Sequence, residues 1–334
     1  MWVLSTARAE LHYFPDSAAI PGGYAILSHT WTQDPAGEQT LLNVQDIIKE
    51  CKNTGRNPRD YVGEKIRRSC KIAERDGYDW IWIDSCCIDK TSSTEVSEAI
   101  NSMINWYTLA EVCYVFLEDV YYRGNSQAEE FKAEFQRARW HTRGWTLQEL
   151  LAPAFVVFLS CEWIQVGTKH DLCIPLSQCT GIDTEFLLRE YDFLGATIAE
   201  RMSWATKRKT TRVEDEAYCL LGLFGLSMPT LYGEGRQAFQ RLQTELVKQT
   251  VDTTLFAWGN WHDSGNDKEE QQPLAGVYAT CHNPDASFPS FLFSPSPGEF
   301  IGLSNVRYTP HVSPQYVLQP YLPSQGSDEV RVVR

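Results

Sequence analysis

Four short apolar runs in the first half of the chain limit its fold more than any other sequence feature. They occupy residues 24–27, 80–83, 112–117 and 155–159, and each has the length of a strand. Runs that are apolar on both faces are typical of central strands in a parallel sheet. Helical patterns separate the runs, and this alternation predicts an α/β domain with a largely parallel sheet over about residues 1–165.

The segments between the runs carry helix signals of different kinds. Ser92 and Glu95 have the spacing of a capping box and precede apolar residues at helical period. Asn57 followed by Pro58 predicts the start of an earlier helix, with a polar loop before it. We also predict a polar helix over residues 127–139 and a short lead-in over residues 1–23.

The pattern changes after residue 163 to a helical segment, which we place at residues 166–250. Its three predicted helices span residues 197–207, 211–224 and 235–248, and the middle one begins with a capping box formed by Thr211 and Glu214. Proline, serine, glycine and aromatic residues without helical period then predict a β-rich, loop-rich tail over residues 251–334. The final residues do not resemble a finished element, so we expect a tail that is loose or truncated.

Composition excludes several classes of protein. The net charge of −13 argues against a broad nucleic-acid surface, which needs a concentrated positive face. No apolar run approaches the roughly 20 residues of a membrane-spanning helix, and the start lacks a secretory signal, so we expect a cytoplasmic protein without a membrane span. The 10 cysteines are scattered and none has CxxC spacing, which predicts reduced thiols and no metal site.

The stretch at residues 143–150 contains the candidate catalytic residue, Glu149. Trp145 and Glu149 are four residues apart, so on a helix they share one face. An indole beside a carboxylate raises the pKa of the carboxyl group by excluding water. The alternative is an ordinary amphipathic turn in which Trp145 packs in the core and Glu149 is solvated or capping, and spacing alone favours that turn.

The ends of the first two predicted strands supply further candidates. Ser28, His29 and Trp31 follow the first run, and Asp84 follows the second. Ligands of parallel sheets bind in a crevice beyond the carboxyl ends of the strands, so we expect these side chains at its rim. Each has a structural alternative: Asp84 as a cap for the next loop, His29 as a hydrogen-bonded structural histidine, and Trp31 as a core residue.

Three blocks of sequence resemble the signature blocks of the heterokaryon-incompatibility (HET) domain, and they occur in the family's order. They are residues 24–31 (YAILSHTW), 82–89 (WIDSCCID) and 143–150 (RGWTLQEL). A later region is similar to the segment that often follows this domain, at residues 201–205, 214–218 and 228–235. The resemblance covers about residues 24–246, and several long blocks are far more specific than one short motif.

The resemblance implies a role in fungal nonself recognition, in which the domain triggers regulated cell death. It also implies a remote relation to Toll/interleukin-receptor (TIR) domains, which have a flavodoxin-like sheet with helices on both faces. Some TIR domains cleave NAD, and their catalytic glutamate lies in a Trp-x-x-x-Glu pattern that Trp145 and Glu149 match. NAD is then a substrate, and the sequence predicts no cofactor.

Cleavage of the nicotinamide–ribosyl bond needs no general acid, because the leaving group is cationic and departs neutral. One buried carboxylate is enough to stabilise the oxocarbenium-like ribosyl group. In this interpretation Trp145 or Trp31 stacks on nicotinamide, and Arg143 contacts a phosphate. Arg143 paired with Glu149 is the structural alternative, and the chain lacks a G-x-G-x-x-G phosphate loop.

Two other functions fit the same residues. Cys86 or Cys87 is a possible thiol nucleophile, with His29 as base and Asp84 orienting it. TIR-like modules also act as pure assembly domains, and this chain is then expected to signal death by self-association without catalysis. The sequence does not identify the partner protein in nonself recognition.

Overall fold

A seven-stranded mixed sheet with helices packed around it forms the centre of the fold. The computed structural model describes residues 1–32, 37–124, 128–258, 293–303 and 306. The strands are β1 (Trp2–Ser5), β2 (Leu11–Tyr13), β3 (Ala25–His29), β4 (Trp80–Ile83), β5 (Val112–Phe116), β6 (Val156–Leu159) and β7 (Gln165–Thr168). The predicted α/β class and the four central strands are confirmed.

The strand order across the sheet is β2-β1-β4-β3-β5-β6-β7. The four central strands are parallel, with Ala25 of β3 opposite Ile81 of β4 on one side and Val112 of β5 on the other. The outer pairs β1–β2, β1–β4 and β6–β7 are antiparallel. When the four parallel strands are numbered by their order in the sequence, their order across the sheet is second (β4), first (β3), third (β5) and fourth (β6).

Ten α-helices lie in the described part of the chain, together with several 3₁₀ turns. They are α1 (Leu41–Thr54), α2 (Glu64–Arg75), α3 (Ser93–Leu109), α4 (Glu129–Gln136), α5 (Thr146–Leu151), α6 (Cys173–Thr180), α7 (Thr184–Leu187), α8 (Ile198–Ser203), α9 (Asp215–Tyr218) and α10 (Gln237–Gln249). The β3-to-β4 and β4-to-β5 connections run in opposite directions across the sheet. Right-handed crossovers therefore place α2 and α3 on opposite faces.

The N-terminal third differs from the sequence prediction in three places. The predicted lead-in contains β1 and β2, because β1 buries Val3 and Leu4 against the edge of the sheet, a signal too short to read from sequence. The predicted polar loop contains α1, whose fully buried residues form only a narrow stripe. Asn57 caps a 3₁₀ turn at Pro58–Asp60, and α2 begins only at Glu64 because Gly63 interrupts the run.

The later helices are shorter than predicted. The polar helix at 127–139 is confined to Glu129–Gln136, and a 3₁₀ turn at Arg139–Thr142 follows. The middle helix at 211–224 is broken into α9 and a 3₁₀ turn at Gly222–Phe224. Its expected capping box is absent from this region because the Glu214 carboxylate accepts hydrogen bonds from the backbone N–H groups of Gly233 and Gly235, at 2.8 and 3.1 Å.

The predicted boundary at residue 165 cuts through β7, which pairs with β6 and belongs to the sheet. Most of the predicted β-rich tail lies outside the described residues. The described parts of that tail include 3₁₀ turns at Thr253–Phe256 and Pro297–Phe300. No helix within the described ranges combines the length and apolar character needed to cross a membrane.

Gly222 joins the helical segment tightly to the sheet domain. A Cβ atom at this position would lie 2.4 Å from Cβ of Ile104 in α3, which is attached directly to the helix backbone and cannot swing away. We therefore expect Gly222→Ala to destabilise the protein by about 1–3 kcal/mol through overpacking. Thermal unfolding measures the effect. Gly195→Ala is the matched control, since nothing lies within 4 Å of a Cβ there, and equal unfolding temperatures for the two variants would contradict the prediction.

Candidate functional site

The carboxyl ends of β3, β4 and β5 meet at one edge of the sheet. From β3 the chain moves outward to β4 and then returns past β3 to β5, so the order of strands reverses between β3 and β5. Ligand crevices of open α/β sheets lie at such reversals, beyond the carboxyl ends of the strands. We call this edge, with the side chains of Ser28, His29, Trp31, Asp84 and Glu149, the switch-point crevice.

Glu149 lies at this edge of the sheet in a buried chain of hydrogen bonds. Ser28 at the end of β3 donates its hydroxyl to Glu149 Oε2, and Trp140 Nε1 donates to Ser28 Oγ at 2.7 Å. Tyr107 of α3 contributes a further hydrogen bond to the carboxyl group. Glu149 is only 7% exposed, and Ser28, Trp140 and Tyr107 are buried completely or nearly so.

The electrostatic environment keeps Glu149 largely protonated at neutral pH. Burial raises the pKa of its carboxyl group to about 8, and the nearby Asp84 charge adds to this rise. The hydrogen bonds from Ser28 and Tyr107 act in the opposite direction, as does the positive charge of Arg208. The site therefore holds a carboxyl group whose charged form is strongly desolvated but has donors ready to stabilise it.

His29, Asp84 and Trp31 form a second group at the rim. The Trp31 indole donates to Asp84 Oδ2 at 2.7 Å, while His29 Nδ1 lies 3.6 Å from Asp84 Oδ1, too far for a normal hydrogen bond. Neither ring nitrogen of His29 has a hydrogen-bond partner among the described residues. Burial lowers the pKa of His29 to about 4, so the imidazole is neutral at physiological pH.

Successive side chains of β3 point to opposite faces of the sheet. Ser28 consequently reaches the face that carries α3 and α5, whereas His29 points toward α2, where Lys65 and Glu38 pair. Asp84 at the end of β4 is close enough to influence the pKa values of both His29 and Glu149. The structure thus brings Ser28 to Glu149 and gathers His29, Trp31 and Asp84 beside them.

Cations also line the rim of the crevice. Lys90 Nζ lies 3.7 Å from the centre of the Trp31 ring. Arg139 Nη2 donates to Thr30 Oγ1 at 2.8 Å and to the Trp31 carbonyl at 3.0 Å, and it pairs with Glu118 after β5. Arg139 therefore connects the ends of β3 and β5 on either side of the point where the strand order reverses.

Arg143 and Trp145 lie away from this network and face the helical segment. Arg143 donates weakly to Thr211 Oγ1, at 3.3 and 3.4 Å from its two terminal nitrogens. The Trp145 indole is in hydrogen-bonding contact with the Asp215 carboxyl group. The indole that joins the Glu149 network is that of Trp140.

Sequence reasoning missed Trp140, Tyr107 and Arg139 as site residues. In the sequence, Tyr107 shares the helical spacing of apolar residues such as Ile100 and Met103, which indicates packing, and Arg139 ends a polar helical segment. Trp140 carried one weak signal, since a tryptophan stands there just after a charged segment.

Cys86 and Cys87, the candidate thiol nucleophiles, are buried. A hydrogen bond to Cys87 and burial both raise the pKa of the Cys86 thiol, which disfavours a reactive thiolate. The described residues contain no cluster of three or more typical metal ligands.

Comparisons with known proteins assign the family. The sequence model of the heterokaryon incompatibility protein (HET) family matches residues 24–127, and that of a domain of unknown function, DUF8212, matches residues 237–325. The vegetative incompatibility protein HET-E-1 of Podospora anserina is 42% identical over 228 residues, which is 67% of this chain but 16% of that relative's length. No solved structure is significantly similar. These sequence matches show that the chain belongs to the heterokaryon-incompatibility (HET) family.

Proposed function

We propose that the chain is a cell-death effector of nonself recognition, acting in the cytoplasm, which hydrolyses NAD at the nicotinamide–ribosyl bond. The HET-family match and the name of the vegetative incompatibility relative support the role in incompatibility. The catalytic part rests on one observation. The Glu149 carboxyl group is buried at the switch-point crevice and accepts a hydrogen bond from Ser28 of the central strand β3.

The topology supports a flavodoxin-like, TIR-related origin. The second, first, third, fourth order of the parallel strands is the beginning of the flavodoxin-like order. In that arrangement the ligand lies where the first and third strands diverge, which here is between β3 and β5. Trp31, Arg139 and Glu118 stand at this place.

In the proposed reaction, water replaces nicotinamide at C1 of the ribose. The glycosidic bond breaks with its electron pair passing to the pyridinium nitrogen, so nicotinamide leaves neutral. Ionised Glu149 stabilises the positive charge that develops on the ribosyl group, and Ser28 and Tyr107 hold the carboxylate in place. Water adds to C1 and loses a proton to solvent, which gives ADP-ribose. In this proposal Asp84 contacts the ribose hydroxyls and Trp31 contacts the nicotinamide ring.

The burial of Glu149 bears on how the proposed enzyme is activated. Glu149 is only 7% exposed, so its carboxyl group is closed to a ribose. Trp31 at the rim is 43% exposed, and its side chain contacts Asp84 through the indole N–H and Lys90 through the ring. We propose that self-association opens the crevice, as the resemblance to TIR enzymes implies. The same burial favours a second candidate function, a non-catalytic assembly domain in which Glu149 is a structural residue.

Nicotinamide release from NAD distinguishes the two functions. We expect release by the wild-type protein at high concentration with a crowding agent, and loss of release in Glu149→Gln, which keeps the shape of the side chain but removes its charge. Glu245→Gln on the surface of α10 is the matched control and is expected to remain active. Equal release by both variants would remove Glu149 from the mechanism. Release by none of the proteins, when all are folded and assembled, would establish the assembly function.

A further inference from the structure

The segment that follows α8 lies against the turn that leads into α5. The backbone N–H of Lys209 donates to the Thr142 carbonyl at 2.7 Å, and the N–H of Gly144 donates to the Lys209 carbonyl at 2.9 Å. These bonds fix the backbone of Arg208 beside the start of the helix that carries Glu149. Support from outside matters for α5, because it has only six residues and no side-chain capping hydrogen bond at its start.

The Arg208 side chain extends this contact into α5. Its Nη1 donates to the Arg143 carbonyl and to Thr146 Oγ1, both at 2.9 Å. Thr146 is the first residue of α5, and its hydroxyl donates to the Trp140 carbonyl at 2.7 Å. One guanidinium group is therefore connected to the start of α5 and, through Thr146, to Trp140.

Trp140 connects this contact to the carboxyl group of Glu149. Its indole donates to Ser28 Oγ, and Ser28 donates to Glu149 Oε2. Arg208 thus reaches Glu149 by two routes, along the backbone of α5 from Thr146 and through the Trp140 side chain. Loss of the Arg208 contacts is therefore expected to displace both the carboxyl group and its hydrogen-bond donor.

The charge of Arg208 also acts on Glu149. Burial lowers the pKa of Arg208 to about 10, so the guanidinium group is a cation at neutral pH. Its Nη2 is closed to solvent and has no hydrogen-bond partner among the described residues. Within the described ranges, Glu149 is the one carboxyl group whose charge acts on Arg208. Ionised Glu149 therefore gains an attraction to this cation that the neutral acid lacks.

A second buried cation holds the other end of α5. Lys169, which follows β7, donates from Nζ to the Leu150 and Pro153 carbonyls, at 3.1 and 2.9 Å. Glu149 is not among the described groups whose charge acts on Lys169. Lys169 therefore supports the same helix without acting on the carboxyl group, which makes it a matched comparison for Arg208.

We propose that Arg208 is a positioning residue for Glu149 and acts on it from the helical segment in two ways. It holds the first turn of α5 in place, and its charge favours the ionised carboxylate over the neutral acid. Its part in NAD hydrolysis rests on the function proposed above, whereas its effect on the ionisation of Glu149 does not. In this proposal the sheet domain depends on the helical segment for the reactivity of Glu149.

Three other titratable groups neighbour the Glu149 carboxyl group. Burial raises the pKa values of Tyr107 in α3 and Cys113 in β5 well above their usual ranges, so both stay neutral through pH 9. The charge of Asp84 after β4 raises the pKa of Glu149. Substitution of Arg208 leaves all three groups unchanged, so a shift in the Glu149 titration then reports the loss of the cation.

A carbon-13 NMR titration of the full chain, with glutamate labelled at its carboxyl carbon, measures this ionisation directly. The signal that is missing in Glu149→Gln belongs to Glu149, and we expect it to titrate near pH 8 in the wild-type protein. Arg208→Gln removes the cation and is expected to move this titration upward by at least about half a pH unit. Lys169→Gln also removes an amine whose pKa burial lowers to about 8, and is expected to leave the titration in place.

Nicotinamide release tests the positioning of α5. Thr146→Val removes the hydroxyl between Arg208 and Trp140 but keeps the cation, so we expect release to fall by about tenfold at every pH with the Glu149 titration unmoved. Thr146→Ser keeps the hydroxyl and is expected to restore the rate. Thermal unfolding shows that each variant is folded, and the two Thr146 variants test the proposal independently of Arg208→Gln.

The outcomes separate this proposal from the proposed enzyme activity. The same Glu149 titration in Arg208→Gln and in the wild type would overturn the role of Arg208. Equal shifts in Arg208→Gln and Lys169→Gln would also overturn it, because a general loosening of α5 then explains both. Equal release by Thr146→Val and Thr146→Ser would contradict the positioning of α5. Absence of release by the wild type would contradict NAD hydrolysis alone, since the titration requires no NAD.

Discussion

Glu149→Gln is expected to stabilise the protein at pH 8.5 and to change its stability little at pH 5. The folded protein holds the Glu149 proton up to a pKa of about 8, whereas the unfolded chain releases it near 4.5. Between these values the unfolded state binds fewer protons, so wild-type stability falls as pH rises from about 4.5 to 8 and the loss is complete above 8. Glutamine has no charge to desolvate and avoids this loss.

The size of the effect follows from the same shift. Each pKa unit corresponds to about 1.4 kcal/mol, and relaxation around the ionised group reduces the total, so we expect a difference of about 2–4 kcal/mol at high pH. Thermal unfolding of both proteins from pH 5 to pH 9 measures it. Glu245→Gln is the control and should follow the wild type throughout. Curves for Glu149→Gln and wild type that stay parallel across this range would show that Glu149 is not the group held protonated.

The rate of NAD hydrolysis is expected to rise about tenfold per pH unit between pH 6 and pH 8 and then to level off. Only ionised Glu149 stabilises the ribosyl cation in the proposed mechanism, and its fraction grows in this proportion below the pKa. The charged groups that influence the carboxyl group are Asp84, which raises its pKa, and Arg208, which lowers it. Initial rates of nicotinamide release across this pH range provide the profile.

The Ser28→Ala variant tests whether the pH profile reflects ionisation of the Glu149 carboxyl group. The Ser28 hydroxyl donates to the carboxylate and lowers its pKa, so its removal is expected to move the profile to higher pH. Activity at pH 7 should then fall by roughly tenfold and largely recover above pH 9. Ser69→Ala in α2, another buried serine, is the control and should leave the profile in place. A loss that is the same at every pH would indicate a packing defect in place of a shifted carboxyl group.

The sequence predicted the central strands because each is a continuous apolar run, buried on both faces. It also predicted that Ser28, His29, Trp31 and Asp84 stand at strand ends, since a parallel sheet fixes where those ends point. The contact between Ser28 and Glu149 spans 121 residues of chain and depends on how α5 packs. No local spacing carries that information.

Local spacing also failed to predict which tryptophan joins the Glu149 hydrogen-bond network. Helical spacing pairs Trp145 with Glu149, but α5 begins at Thr146, and Trp145 stands at the cap position before it. Its side chain turns toward Asp215 of the helical segment, and Trp140 from the preceding 3₁₀ turn supplies the indole instead. Side-chain direction at a helix start is decided by tertiary neighbours. Weakly periodic elements such as α1 and β2 were missed for a related reason, since they bury too few residues to show a pattern.

Ser28 and His29 point to opposite faces of β3. Two groups with unusual pKa values, His29 and the Ser28 partner Glu149, therefore lie on opposite sides of this strand. The imidazole of His29 gains a proton only below about pH 4, and the carboxyl partner of Ser28 loses one only near pH 8. Between these pH values both groups are mainly neutral, so they add no net charge at the carboxyl end of β3 at physiological pH. The charge that an approaching ligand meets first is therefore set by the rim, where the carboxylates of Asp84 and Glu118 stand together with the cations Lys90 and Arg139.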